Sequence, residues 1–111
     1  MTVTTKVLIP AKTAENSQTT QYTATGVTAI IDKFTATNYS ASAATISVNL
    51  VNPLGSTGND NLIVKTKTLA PAETYTFPEL VGAALAPGGF ISTIAGTASA
   101  INIRASGREV T

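Results

Sequence analysis

The stretch Thr45–Val51 reads TISVNLV. Apolar Ile46, Val48 and Leu50 alternate with polar Thr45, Ser47 and Asn49. Successive side chains of a strand point to opposite faces, whereas a helix repeats every 3.6 residues. The period of two therefore predicts a half-buried antiparallel strand with Ile46, Val48 and Leu50 inward. Working outward from it, the same pattern recurs on both sides.

Thr28–Ser40, TAIIDKFTATNYS, is a long strand. Ile30, Phe34 and Ala36 fall on one face; Ile31, Lys33, Thr35 and Thr37 fall on the other. Asp32 interrupts the apolar face, so it needs an exposed strand start or a partner. Asn38-Tyr39-Ser40 matches a glycosylation sequon, but asparagine there more simply starts a turn. Asn52–Asn61, NPLGSTGNDN, is a long loop punctuated by Pro53, Gly55 and Gly58. Leu62–Leu69 is a strand, APAE a turn, and Thr74–Phe77 alternates with Tyr75 and Phe77 together. Upstream, Thr19–Thr25 is a strand carrying Tyr22, and Val3–Pro10 is a strand closed by proline. Ala11–Gln18 is polar and reads as either an extended arm or a loop. Near the C-terminus, FISTIA and AINIRASG are strands joined around GTAS, a hairpin turn, and REVT closes the chain.

The segment TFPELVGAALAPGGFIST, Thr76–Thr93, departs from this alternation. Pro78 and Glu79 suit the first turn of a short helix, with Leu80, Val81 and Leu85 packing on a sheet. A phosphate loop sets its glycines directly before a helix. Here Pro87-Gly88-Gly89 follows the helix-like piece and precedes a strand, so it reads as a structural corner with Gly88 or Gly89 at positive φ.

About eight short strands with turn signals between them predict an all-β fold, an antiparallel β-sandwich of jelly-roll-like form, with one helical turn near residues 79–85. A length of 111 residues fits a single domain. Residues 19–111 form the sandwich, preceded by an N-terminal strand or arm over 1–18.

Composition narrows the chemistry. Threonine is the commonest residue, with 20, followed by alanine with 17, and only 12% of residues are charged. This suits a β protein with a hydroxyl-rich surface. A net charge of +1 with scattered lysines and arginines gives no nucleic-acid stripe. Lys65 and Lys67 read as an ordinary solvated strand edge. No apolar run is long enough to span a membrane, and MTVTTKVLIPAK lacks the pattern of a secretory signal. The expected site of synthesis is the cytosol. Histidine and cysteine are both absent. Their absence removes the usual general base, zinc and thiol ligands, and the Ser-His-Asp triad. The six carboxylates, Glu15, Asp32, Asp60, Glu73, Glu79 and Glu109, read as surface groups and caps rather than a glycosidase pair. GSTGNDN lacks the closing glutamate of a calcium loop. No enzyme activity, cofactor or metal is expected.

Two stretches carry a resemblance. One is TGVTAIIDKFTATNYSASAATISVNLV. The other is LAPAETYTFPELVGAALAPGGFISTIAGTASAINIRASGREV. Together they resemble small β-sandwich virion structural proteins of tailed bacteriophages, over residues 20–111. The resemblance implies a subunit that works in an assembly: a capsid decoration protein cementing the head, in contact with the major capsid protein or other virion proteins. It implies homo-oligomers, with trimers around local symmetry axes favoured, and no nucleic-acid or membrane partner. A neck, collar or tail component that forms a ring or docks a fibre is the alternative. A carbohydrate-binding sandwich is the third, although tryptophan is absent and only Tyr39 among the aromatics looks free of the core. The expected contact residues are Lys6, Val7, Leu8 and Ile9 in the N-terminal segment, where an arm would add a strand to a neighbour, and Leu54, Asn59 and Asp60 in the long loop.

Overall fold

A computed structural model describes all 111 residues. Nine strands follow in chain order: β1 (Val3–Thr13), β2 (Thr19–Thr23), β3 (Thr28–Asn38), β4 (Ala44–Val51), β5 (Leu62–Leu69), β6 (Thr74–Thr76), β7 (Ala84–Leu85), β8 (Phe90–Ala95) and β9 (Ile101–Val110). One sheet has the order β1-β9-β3-β6, with β7 also on β3. The other has the order β2-β8-β4-β5. Every pairing is antiparallel. Apart from β4–β5 and β6–β7, which stay within one sheet, successive strands pass between sheets in the double Greek-key order of a jelly roll. The inner faces enclose one apolar cluster in which Phe34, Phe77, Ile9, Ile31, Ile46, Leu69, Ile91 and Ile103 are fully buried. Phe77 meets Phe34 and Tyr75 edge-to-face, with ring centroids 4.9 and 4.8 Å apart.

The two-sheet architecture matches the reading of the sequence, and several local details differ. GTAS is no hairpin turn. It carries the chain from one sheet to the other, because β8 pairs with β2 and β4 while β9 pairs with β1 and β3. The expected helix near 79–85 is a run of turns. Leu80 N–H donates to Phe77 O and Ala83 N–H to Leu80 O, while Gly82, at φ 83°, donates to Ile31 O. The free edge of β3 takes the backbone bonds that a helix would have used internally. Leu80 and Leu85 are buried as expected, but Val81 is exposed. The only helical turn lies instead at Asn59–Asn61, a single 3-10 turn.

Strand β3 changes face partway. Ile31 lies opposite Gly107 and Lys33 opposite Ser106, so Asp32 is the extra residue of a bulge. Ala29 and Ile31 point inward before it; Phe34, Ala36 and Asn38 do so after it. Ile31 rather than Ile30 is therefore the core residue. Asp32 turns outward and receives three hydrogen bonds from Arg108 at 2.9–3.2 Å. Gly107 is required at this crossing, because a Cβ would collide with the Ile30 carbonyl.

In β4, Ser47 and Asn49 are buried although they point away from the core, and Leu50 is half-buried while Val51 is buried. Asn49 is covered by the β4–β5 connection, to which its amide donates, while Ser47 Oγ accepts from Thr66 N–H of β5. Pro10 does not close β1. The strand continues to Thr13 across register shifts between Val7 and Ile9 and between Ile9 and Lys12. Proline is tolerated there because β1 is an edge strand. Within the chain β1 pairs along β9, and the two ends of the polypeptide meet: Thr2 and Thr111 donate to each other's carbonyls at 3.2 and 2.9 Å. Asn38 does start the β3–β4 turn. It is fully buried, accepts from Ser40 N–H and Oγ, and donates to Ser42 O and Leu69 O.

Candidate interaction surface at one end of the sandwich

Strand connectivity gathers the β2–β3, β4–β5 and β7–β8 connections at one end of the molecule. Two of them contain turns of the same construction. Gly55 N–H donates to Asn52 O at 3.0 Å across Pro53-Leu54, and Gly89 N–H donates to Ala86 O at 2.8 Å across Pro87-Gly88. Proline at the second position and positive φ at the third make both type II turns. Gly88 has φ 93°, which meets the expectation of a structural corner. Its Cα side faces Pro53, where an added Cβ would lie 3.2 Å from the proline Cβ. The two turns are therefore packed against each other. A third turn of the kind, Ala70-Pro71-Ala72-Glu73, lies at the opposite end, with Ala72 at φ 67°.

Leu54 stands out within this set. It occupies the third turn position at φ 64° and is fully exposed. Left-handed backbone costs an L-residue roughly 1–2 kcal/mol, and glycine or asparagine is the usual occupant. A branched apolar side chain there gains nothing from the rest of the chain.

The loop that presents Leu54 is held firmly. Asn49 donates to Gly58 O at 3.1 Å and to Asn61 Oδ1 at 2.6 Å. Asn61 donates to Ser56 O and accepts from Gly58 N–H. Gln18 links the β1–β2 connection to the same place through Ser92 Oγ at 2.8 Å. Gly55 sits so close to Asn52 O and the Val51 side chain that a Cβ would lie 3.0–3.1 Å from them. Asn49, Asn61 and Gln18 are the anchors that reading the sequence missed. The signal was available: asparagines bracket the loop, at the end of one strand and just before the next.

The expected contact residues divide into two groups that the fold does not bring together. Leu54, Asn59 and Asp60 lie exposed on this loop. Lys6 and Val7 are exposed on β1, at the edge of the other sheet, with Lys6 Nζ 3.5 Å from Glu109. Leu8 and Ile9 correct the expectation: they are buried in the core, at 4% and 0% exposure. The Val7/Ile9 register shift turns both toward the interior, so their side chains are not on the surface of this chain.

The carboxylates are dispersed. Hydrogen bonds from Gln21 and Lys12 hold Glu15 below the usual carboxylate range. Glu73 caps Ala70 N–H, Glu79 accepts from Tyr75, and Glu109 accepts from Tyr22. Burial, and then Glu109, push the Tyr22 phenol upward. No three His, Cys, Asp or Glu side chains meet as a metal cluster. Lys67 differs from the solvated lysine expected: its ammonium sits 4.5 Å from the Tyr75 ring centroid, bridging β5 and β6 across the open side of the sandwich. The largest hollow, about 330 Å³, is an open depression beside β1, and its two charged groups, Lys6 and Asp32, are engaged by Glu109 and Arg108. Tyr39 is the one exposed aromatic.

No protein-family model, curated protein or solved structure gives a significant match to this chain.

Proposed function

We propose that the chain is a non-enzymatic structural protein of a tailed-phage particle, a capsid decoration subunit that bridges neighbouring shell proteins. The observation that carries this reading is Leu54, a fully exposed apolar side chain on a rigid turn whose backbone disfavours it. Such a residue suits an anchor for a protein surface. Buried at a contact, a leucine contributes about 2 kcal/mol, and repetition over a shell multiplies that. The sequence resemblance supports the same reading, as does a jelly-roll order common among viral coat domains. Lectin domains share that fold, but a sugar platform would call for more exposed aromatics than Tyr39 alone.

The test is binding of the purified chain to preformed empty shells, followed by cryo-EM of intact particles. Density at threefold or quasi-threefold positions, with Leu54 at the contact, is the expected result. Density confined to the portal–tail axis would replace decoration with a neck or tail role. Binding to polysaccharide and not to shells would overturn the virion reading.

A further inference from the structure

Each sheet ends in edge strands, and an unpaired edge offers its N–H and C=O groups to any other strand. Most of these edges are blunted. β2 is five residues long with a register shift between Thr20 and Tyr22. β5 carries Lys65, Lys67 and a kinked Thr66 at φ 46°. β6 has three residues and β7 two. In β1 the second half is broken by two register shifts and Pro10, but Val3–Val7 pairs with Val110–Ser106 without interruption. Its other side meets no strand.

The hydrogen-bond phase of this segment is fixed by Thr2 and Thr111, which exchange both backbone bonds. Alternation along an antiparallel ladder then aims the backbone groups of Thr4 and Lys6 at β9, and those of Val3, Thr5 and Val7 at the open edge. We propose that this edge pairs with the same edge of a second copy, antiparallel about a twofold axis through Thr5. That register sets Val3 against Val7, Thr5 against Thr5, and Val7 against Val3. Each of these three pairs is of the kind that exchanges two ladder bonds, and the Thr4–Lys6 pairs between them are not. The whole regular segment is used, and pairing stops where the register shift begins.

Side chains agree with this register. Val3 and Val7, 51% and 44% exposed, share the outer face and meet across the axis. Lys6 is the only charge in the segment. It falls opposite Thr4 of the second copy, which is itself opposite that copy's Glu109, so opposite charges share a row and like charges do not face each other. The contact is isologous and closes at two copies. It uses a different surface from Leu54 and holds or fails independently of shell binding.

Sedimentation equilibrium of the full chain across a dilution series is expected to show a dimer that dissociates to monomer. Thr5→Pro removes an N–H that points to solvent and leaves the bonds to β9 intact, so this variant is expected to keep its circular dichroism and remain monomeric. Should Thr5→Pro fail to fold, cysteine substitution provides the second test in this cysteine-free chain. Facing residues of such a pair have Cα atoms about 5.5 Å apart, within disulfide reach. Thr5→Cys should oxidise to a covalent dimer, and Lys65→Cys on the β5 edge should not. A wild-type chain that stays monomeric at millimolar concentration, a dimer that survives Thr5→Pro, or equal cross-linking of the two cysteine variants would overturn the proposal.

Discussion

Leu54→Asn is expected to stabilise the isolated chain while weakening its hold on the shell. Leu54 sits at φ 64° and is fully exposed, so its removal gives up no burial. Asparagine tolerates the left-handed region by bonding locally, which recovers part of a cost of roughly 1–2 kcal/mol. The gain should be about 0.5–1 kcal/mol, a rise of about 2–4 °C in Tm for a domain of this size. At the contact, losing a buried leucine costs about 2 kcal/mol, roughly thirtyfold in Kd. Thermal unfolding followed by circular dichroism reads the first effect, and co-sedimentation with empty shells reads the second. A fall in Tm of several degrees would mean that Leu54 packs within its own chain. Unchanged shell affinity would remove Leu54 from the contact. Opposite signs in the two assays are the signature of a residue kept for a partner at the expense of its own fold.

Further outcomes follow from the core and its edges. Gly107→Ala drives a Cβ into the Ile30 carbonyl and to 3.0 Å from Leu8 Cδ1; backbone cannot yield there, and a loss of about 3 kcal/mol or more is expected by urea titration. Deleting residues 1–18 removes Leu8 and Ile9 from the core and exposes the edge of β9; the truncated chain should lack a cooperative thermal transition. Tyr22 is raised above its ordinary value of 10.0, mainly by burial and further by Glu109. A raised folded-state value means that its contribution is complete below pH 10 and is lost as pH climbs above it. Tyr22→Phe should flatten the alkaline decline of Tm, and a wild-type Tm that holds above pH 10 would contradict the assignment.

Much of the fold was legible because alternation reports a half-buried strand directly. β4, β5 and β8 were readable within a residue or so at each end for that reason. The bulge at Asp32 was half-visible: a charge on the apolar face announced that something must give, but not that the whole phase would shift toward Ile31. Only Gly107, seventy-five residues away, explains the shift, and such pairing has no local signature. The segment 78–85 misled because local helix signals lost to the unpaired edge of β3, which takes the backbone bonds of Gly82. GTAS looked like a hairpin because turn residues report a reversal of the chain and not which sheet receives it. At the candidate surface, the sequence places Leu54 within a polar contact loop. Its conformation follows from the Pro53 turn, and its exposure becomes clear only once the loop is folded back on Asn49.

The mutual bonding of Thr2 and Thr111 makes the polypeptide almost a ring. Any segment joined at either end leaves from the same spot. A short peptide link between the two would close a loop of about 111 residues with little change to the fold. Closing a loop of that size lowers the entropy of the unfolded chain by the equivalent of about 4–5 kcal/mol. A cyclised chain could then be reopened at another surface turn, which would set new termini without moving a strand.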